Sequence, residues 1–215
     1  MVRYMSIRVE EEVKAAEQAL ATLPEEARKA ISEFTMMSIS NIPEDQRDLI
    51  KARLASSIIA ALPVAQRELK FKIEDFIRPT KMVSGKYTVV ELRPEMYNLT
   101  TFRYNWTATG EQSCPWNVTT PETIVMIIVG FQNPEPSPKT RYVYGKIGVD
   151  DLPVYYVGDL EGFRVKVLPQ PYILKPRTSI ELKQYIEATG YDEFKPFGAA
   201  IVPAVEATKR APWTF

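Results

Sequence analysis

The chain contains no histidine. That removes the side chain that titrates nearest neutrality, and with it the commonest general base, the histidine-dependent triads and most zinc sites. Cysteine is nearly absent too: Cys114 stands alone, so no internal disulfide and no C-x-x-C pair can form. Neither sign of charge is in excess, since 27 Lys and Arg face 27 Asp and Glu. A nucleic-acid footprint or a membrane-seeking patch needs clustered positive charge, and the chain has none in view. Long apolar runs are missing as well. The longest, Ile124–Val129, falls far short of the roughly 20 residues that cross a bilayer. The opening MVRYMSIRVEEEVKAAEQ turns acidic at once and lacks the apolar stretch of a signal peptide. No P-loop, G-x-G-x-x-G or G-x-S-x-G occurs. Catalysis by carboxylates, Lys or Tyr stays open, and the expectation is no cofactor, no direct nucleic-acid partner and no transmembrane segment.

What is present divides into two kinds of text. At 215 residues, 45% of them hydrophobic, the chain is long enough to bury a sizeable core. Up to Arg78 it reads as helix. Apolar residues recur at three- and four-residue spacing, and three phrases share one start grammar: LPEEAR, IPEDQR and LPVAQR. Their prolines, Pro24, Pro43 and Pro63, suit a first helical turn, where the missing N–H is no loss. The acids after the first two face the positive end of the helix dipole. The spacing predicts about four short helices, over 8–21, 24–38, 43–61 and 64–77. Their stripes include Leu54 and Ile58, then Leu69, Ile73 and Phe76. Such stripes pack on each other, on the following region or on a neighbouring subunit.

After Pro79 the language changes. Fourteen of the 17 prolines lie at or after Pro79, among short β-branched and aromatic runs separated by turn residues. Strands are expected over 86–92, 97–107, 122–132, 140–148, 153–158, 163–169, 178–189 and 194–203. The run IVMIIVGF is apolar on both faces and should be central. SIELKQYIE alternates and should be covered on one side only. Within 97–107 the alternation slips once, and a bulge near Thr100 would bring Tyr97, Leu99, Phe102, Tyr104 and Trp106 to one face. The expected fold is α+β: a helical arm or bundle over 1–80, an antiparallel, jelly-roll-like β-sandwich over 81–205, and a tail over 206–215.

Several residue groups are candidate sites. Asn98, Asn105 and Asn117 each open an Asn-x-Thr triplet, the N-glycosylation acceptor pattern. Threonine is also a favoured strand residue, so β text yields such triplets without sugar. Asp150, Asp151, Asp159 and Glu161 would form an oxygen-rich cation site if the strand between them folded back. Asp beside Gly or Pro is also ordinary turn chemistry, and that reading is preferred, with no metal assigned. Cys114 has no histidine to activate it and reads as structural. Tyr142, Tyr144, Tyr155 and Tyr156, with Trp106 and Trp116, suit a sugar- or peptide-binding platform, or a core or interface. Trp213 and Phe215, in an otherwise polar ending, are expected to dock on this chain or a neighbour. With Leu54, Ile58, Leu69, Ile73 and Phe76 they make up the possible assembly contacts.

The stretch PYILKPRTSIELKQYIEATGYDEFKPFGAAIVP (residues 171–203) resembles the closing strands of viral jelly-roll capsid and accessory virion proteins: a long amphipathic strand, a Gly-bearing hairpin and a final strand. A helical segment ahead of a sandwich is similar to virion proteins that use such an arm for assembly. The resemblance implies a non-enzymatic structural protein that self-assembles, with itself and with other virion proteins, in a virion built in the host cytoplasm. The missing basic arm fits a shell protein that does not bind the genome. A carbohydrate- or ligand-binding sandwich on a helical adaptor is the alternative, and a carboxylate hydrolase stands behind it.

Overall fold

A computed structural model describes residues 2–78, 83–160 and 162–207, with side chains from Val9 onward. Three α-helices come first: α1 (Val2–Ala21), α2 (Glu25–Ser38) and α3 (Glu44–Leu69). Pro24 and Pro43 stand just before α2 and α3, with Glu25, Glu26, Glu44 and Asp45 in the first turns, as the start grammar requires. The buried face of α2 is Ala27, Ala30, Ile31, Phe34 and Thr35, a three-four stripe.

The third expected start is not a start. Pro63 lies inside α3, and the segments expected over 43–61 and 64–77 are one helix as far as Leu69. Its ring is on the solvent side, while Ile58, Ala61, Leu62 and Ala65 keep the buried stripe in phase across it. Burial of that stripe outweighs the one ladder hydrogen bond that proline deletes. The helix stops at Lys70, whose φ of 57° is left-handed. A 3-10 turn at Ile73–Asp75 follows, and Phe76 then bridges to Tyr87.

Ten strands follow among the described residues: β1 (Tyr87–Glu91), β2 (Tyr104–Trp106), β3 (Gly110–Ser113), β4 (Val125–Gln132), β5 (Thr140–Ile147), β6 (Asp150–Tyr156), β7 (Val165–Leu174), β8 (Ile180–Ile186), β9 (Gly190–Asp192) and β10 (Lys195–Pro203). They form two four-stranded antiparallel sheets, ordered β1-β10-β4-β7 and β3-β8-β5-β6, and a β2–β9 ribbon. The class is α+β, and the helices form a layer on the first sheet.

β4 shows why. All its residues are buried, and its two faces serve two cores. Met126 and Ile128 point between the sheets, towards Val143, Leu182 and Trp116. Val125, Ile127 and Val129 point the other way, into a core shared with Ile31, Phe34, Leu54, Ile58 and Phe76. Glu12 forms a paired ion contact with Arg53 at 2.7 Å, and Arg53 also donates to the Pro169 carbonyl, tying α1, α3 and β7 together.

Other expectations shift. The 97–107 stretch is not one bulged strand: Pro94–Tyr97 is a 3-10 turn, Asn98 is left-handed at φ 58°, and only Tyr104–Trp106 pairs. The helical turn reconciles the two phases, so Tyr97, Phe102 and Trp106 are buried while Tyr104 faces solvent. Gly110–Ser113, expected as loop, is the edge strand β3; its polar residues carry no apolar alternation to reveal it. Gly190–Asp192, expected as a turn, pairs with β2.

Candidate functional site

The helices cover the outer side of the first sheet; among the described residues nothing covers the outer side of the second. β8 alternates as its sequence demands, with Ile180, Leu182, Gln184 and Ile186 inward and Glu181, Lys183, Tyr185 and Glu187 outward. Gly145 lets β5 lie close beside it, since a Cβ there would meet the Glu181 carbonyl oxygen at 2.3 Å. The strand register then does something no single strand reveals. Tyr142 is opposite Tyr185 on one side and Tyr156 on the other, so three tyrosines form a row across β8, β5 and β6. Their rings meet edge to face, with centroids 6.1 and 5.6 Å apart and planes inclined at 66° and 62°. Each is 40–44% exposed.

Charges flank this row and are neutralised within the face. Arg141 pairs with Glu187 and also donates to the Tyr156 hydroxyl at 3.3 Å. Lys183 pairs with Glu111, which also accepts from the Tyr144 hydroxyl. Lys146 sits in register between Glu181 and Asp151. The result is an aromatic surface whose charges are paired within it. Of the expected platform, Tyr142, Tyr144 and Tyr156 belong to it. Trp116 and Trp106 do not: both are buried, and Trp116 donates its indole N–H to the Phe194 carbonyl in the core. Tyr155 turns toward the inter-sheet core. Tyr185 completes the row; its signal was its place on the polar face of β8, legible only once the register is known.

The Asn-x-Thr positions separate. Asn98 and Asn105 are exposed. Asn117 is committed: its amide donates to the Leu182 carbonyl at 2.8 Å and to Ser113 Oγ at 3.2 Å, while its oxygen accepts from Leu182 N–H at 2.8 Å. A turn closed by Asn117 N–H to the Cys114 carbonyl sends Trp116 into the core. Cys114 is buried in the same turn, and burial pushes its thiol well above the ordinary range, so it is neutral and enclosed.

The carboxylates do not converge. β6 pairs with β5 and does not fold back, so Asp150 and Asp151 open it and Asp159 lies beyond its far end, about 20 Å of extended strand away. Asp159 pairs with Lys166 instead. Among the described residues no three His, Cys, Asp or Glu side chains could hold a metal. Glu161 lies outside the described residues. Asp150 and Asp151 do line a groove of about 920 Å³ between the β5–β6 hairpin and the second half of β7 with the residues that follow it, a lining that also includes Lys175 and Arg177. Tyr172, on the same groove, donates to the Asp151 carbonyl at 3.3 Å. Burial, then Tyr155 and the two aspartates, raise its phenol above the ordinary value, so it serves as a donor and not as a base.

The expected assembly contacts on the helices are not at the surface. Leu54, Ile58 and Phe76 are fully buried against the first sheet of their own chain, and Leu69 and Ile73 pack half-buried beside them. The sheet needed a cover, and these side chains supply it. Trp213 and Phe215 lie outside the described residues. Comparison of the chain with family models, curated proteins and solved structures returns no match in any of the three.

Proposed function

We propose that the protein is a non-enzymatic structural component of a virion, built on a jelly roll and acting by assembly with itself and with other virion proteins. The observation that carries this reading is the strand order. With β2 and β9 set aside as extensions of β3 and β8, eight strands remain, and the first lies beside the last. Successive strands alternate between the two sheets except at the β5–β6 hairpin. Two interlocked Greek keys have this order, and they recur in capsid, lectin and cupin domains. A charge-balanced composition without a basic segment supports a shell role over genome binding. The tyrosine row favours a protein partner over a glycan: rings inclined at 62° and 66° to their neighbours offer no common flat face for stacking sugars. Light scattering and negative-stain electron microscopy of the concentrated protein test the proposal. Defined oligomers or particles are the expected outcome; a strictly monomeric species at every concentration overturns it.

A further inference from the structure

We infer that Asn105 is an acceptor for an N-linked glycan, with Tyr191 as the ring on which the first sugar rests. This goes beyond the assembly reading and does not depend on it. Three of the chain's five asparagines open Asn-x-Thr triplets, and the fold treats the three differently. In the Asn105 triplet the middle residue, Trp106, is buried, so strand alternation turns Asn105 and Thr107 outward together, both exposed. Neither side chain makes a hydrogen bond among the described residues. Asn105 pairs with Tyr191 in the β2–β9 ribbon. Paired residues on antiparallel strands share a face, with Cβ atoms about 5 Å apart. Tyr191 is 57% exposed. The Arg103 guanidinium lies over its ring at 4.7 Å and is itself held by Glu135 at 2.9 Å, which steadies the ring beside Asn105. An aromatic ring so placed takes the apolar C–H side of a sugar.

The other two triplets lack this setting. Asn117 already donates both amide hydrogens, to the Leu182 carbonyl and to Ser113 Oγ. A glycan replaces one of those hydrogens and puts a sugar ring where the contact was, so a chain modified there does not close the turn that seats Trp116. Asn98 caps a 3-10 turn with its backbone left-handed at φ 58°, and no strand residue lies in register opposite it. The transfer needs a donor sugar on a lipid diphosphate and a membrane-bound oligosaccharyltransferase. The bond from sugar C1 to Asn105 Nδ2 forms as the bond from C1 to the diphosphate oxygen breaks. The lipid diphosphate leaves, and the amide proton passes to a base of the transferase.

Cell-free synthesis of the full chain, with a detergent-solubilised oligosaccharyltransferase and its lipid-linked donor present, tests this. A peptide of residues 102–110 serves as the acceptor control. Mass mapping of the folded fraction, isolated by gel filtration, should show a glycan on Asn105, none in the Asn105→Gln variant and none on Asn117. The glycan should raise the thermal midpoint by about 2 °C, a rise lost in Tyr191→Ala. A folded fraction bare at Asn105, or one carrying sugar on Asn117, overturns the assignment. A rise undiminished in Tyr191→Ala overturns the role of the ring. Each of these results leaves the assembly reading where it stands.

Discussion

Asn117 stands where β3 has already ended and β8 still needs a neighbour. Its amide presents a donor and an acceptor to Leu182, as a strand residue would, while Cys114–Asn117 turns aside to seat Trp116. Asn117→Ala leaves the Leu182 N–H without a partner, whereas the carbonyl keeps the Cys114 N–H. Losing one buried donor's partner costs about 1–3 kcal/mol. Urea unfolding should show that loss for Asn117→Ala and near-native stability for the exposed Asn105→Ala; equal effects at the two would refute the distinction. The triplet pattern was legible in the chain, but this difference was not. It depends on Leu182, 65 positions away.

Pro63 carries the corresponding lesson at the scale of an element. Read locally, an apolar residue, a proline and a following Arg look like a helix start, and at Pro24 and Pro43 they are. At Pro63 the stripe beneath the helix continues, and sheet packing overrides local grammar. Proline in a helix interior leaves the Ile59 carbonyl without its ladder partner and crowds the preceding turn. Pro63→Ala, at an exposed position, should therefore stabilise the protein by about 1–3 kcal/mol, read as a higher urea midpoint at unchanged slope. A lower midpoint would mean that the proline itself is what fits α3 to the first sheet. A strand apolar throughout, such as β4, or one with strict alternation, such as β8, was legible in outline. β3 and β9 were not, because short polar edge strands are defined by their partners and not by their own residues.

For the whole molecule, the two kinds of sequence text do not mark two independent units. Val89, Val125, Ile127, Val129, Val165 and Ile201 face the helices, not the second sheet. At about 1.5–3 kcal/mol each, the burial of these six is worth about 9–18 kcal/mol, comparable with the entire stability of a typical domain. A chain beginning at Val83 should accordingly fail to form a cooperative unit: weak near-UV circular dichroism and strong binding of an apolar dye are expected. A sharp thermal transition in that fragment would show the sandwich to be self-sufficient. That helices precede the strands was legible because helix and strand periodicities differ; the shared core was not, since nothing in a stripe of Ile and Leu says which surface it will meet.

Placing the last strand between the first and the fourth also has a consequence in time. β10 pairs with β1 on one edge and β4 on the other, so both edges stand open while the chain is being synthesised. Until residues 195–203 leave the ribosome, the first sheet has a gap at its centre, and the most apolar strand of the protein borders it. Folding is therefore committed late, by a long-range insertion of the slow kind. The nascent chain passes through its most aggregation-prone stage just before β10 emerges, when dense synthesis of identical copies would bring open edges together.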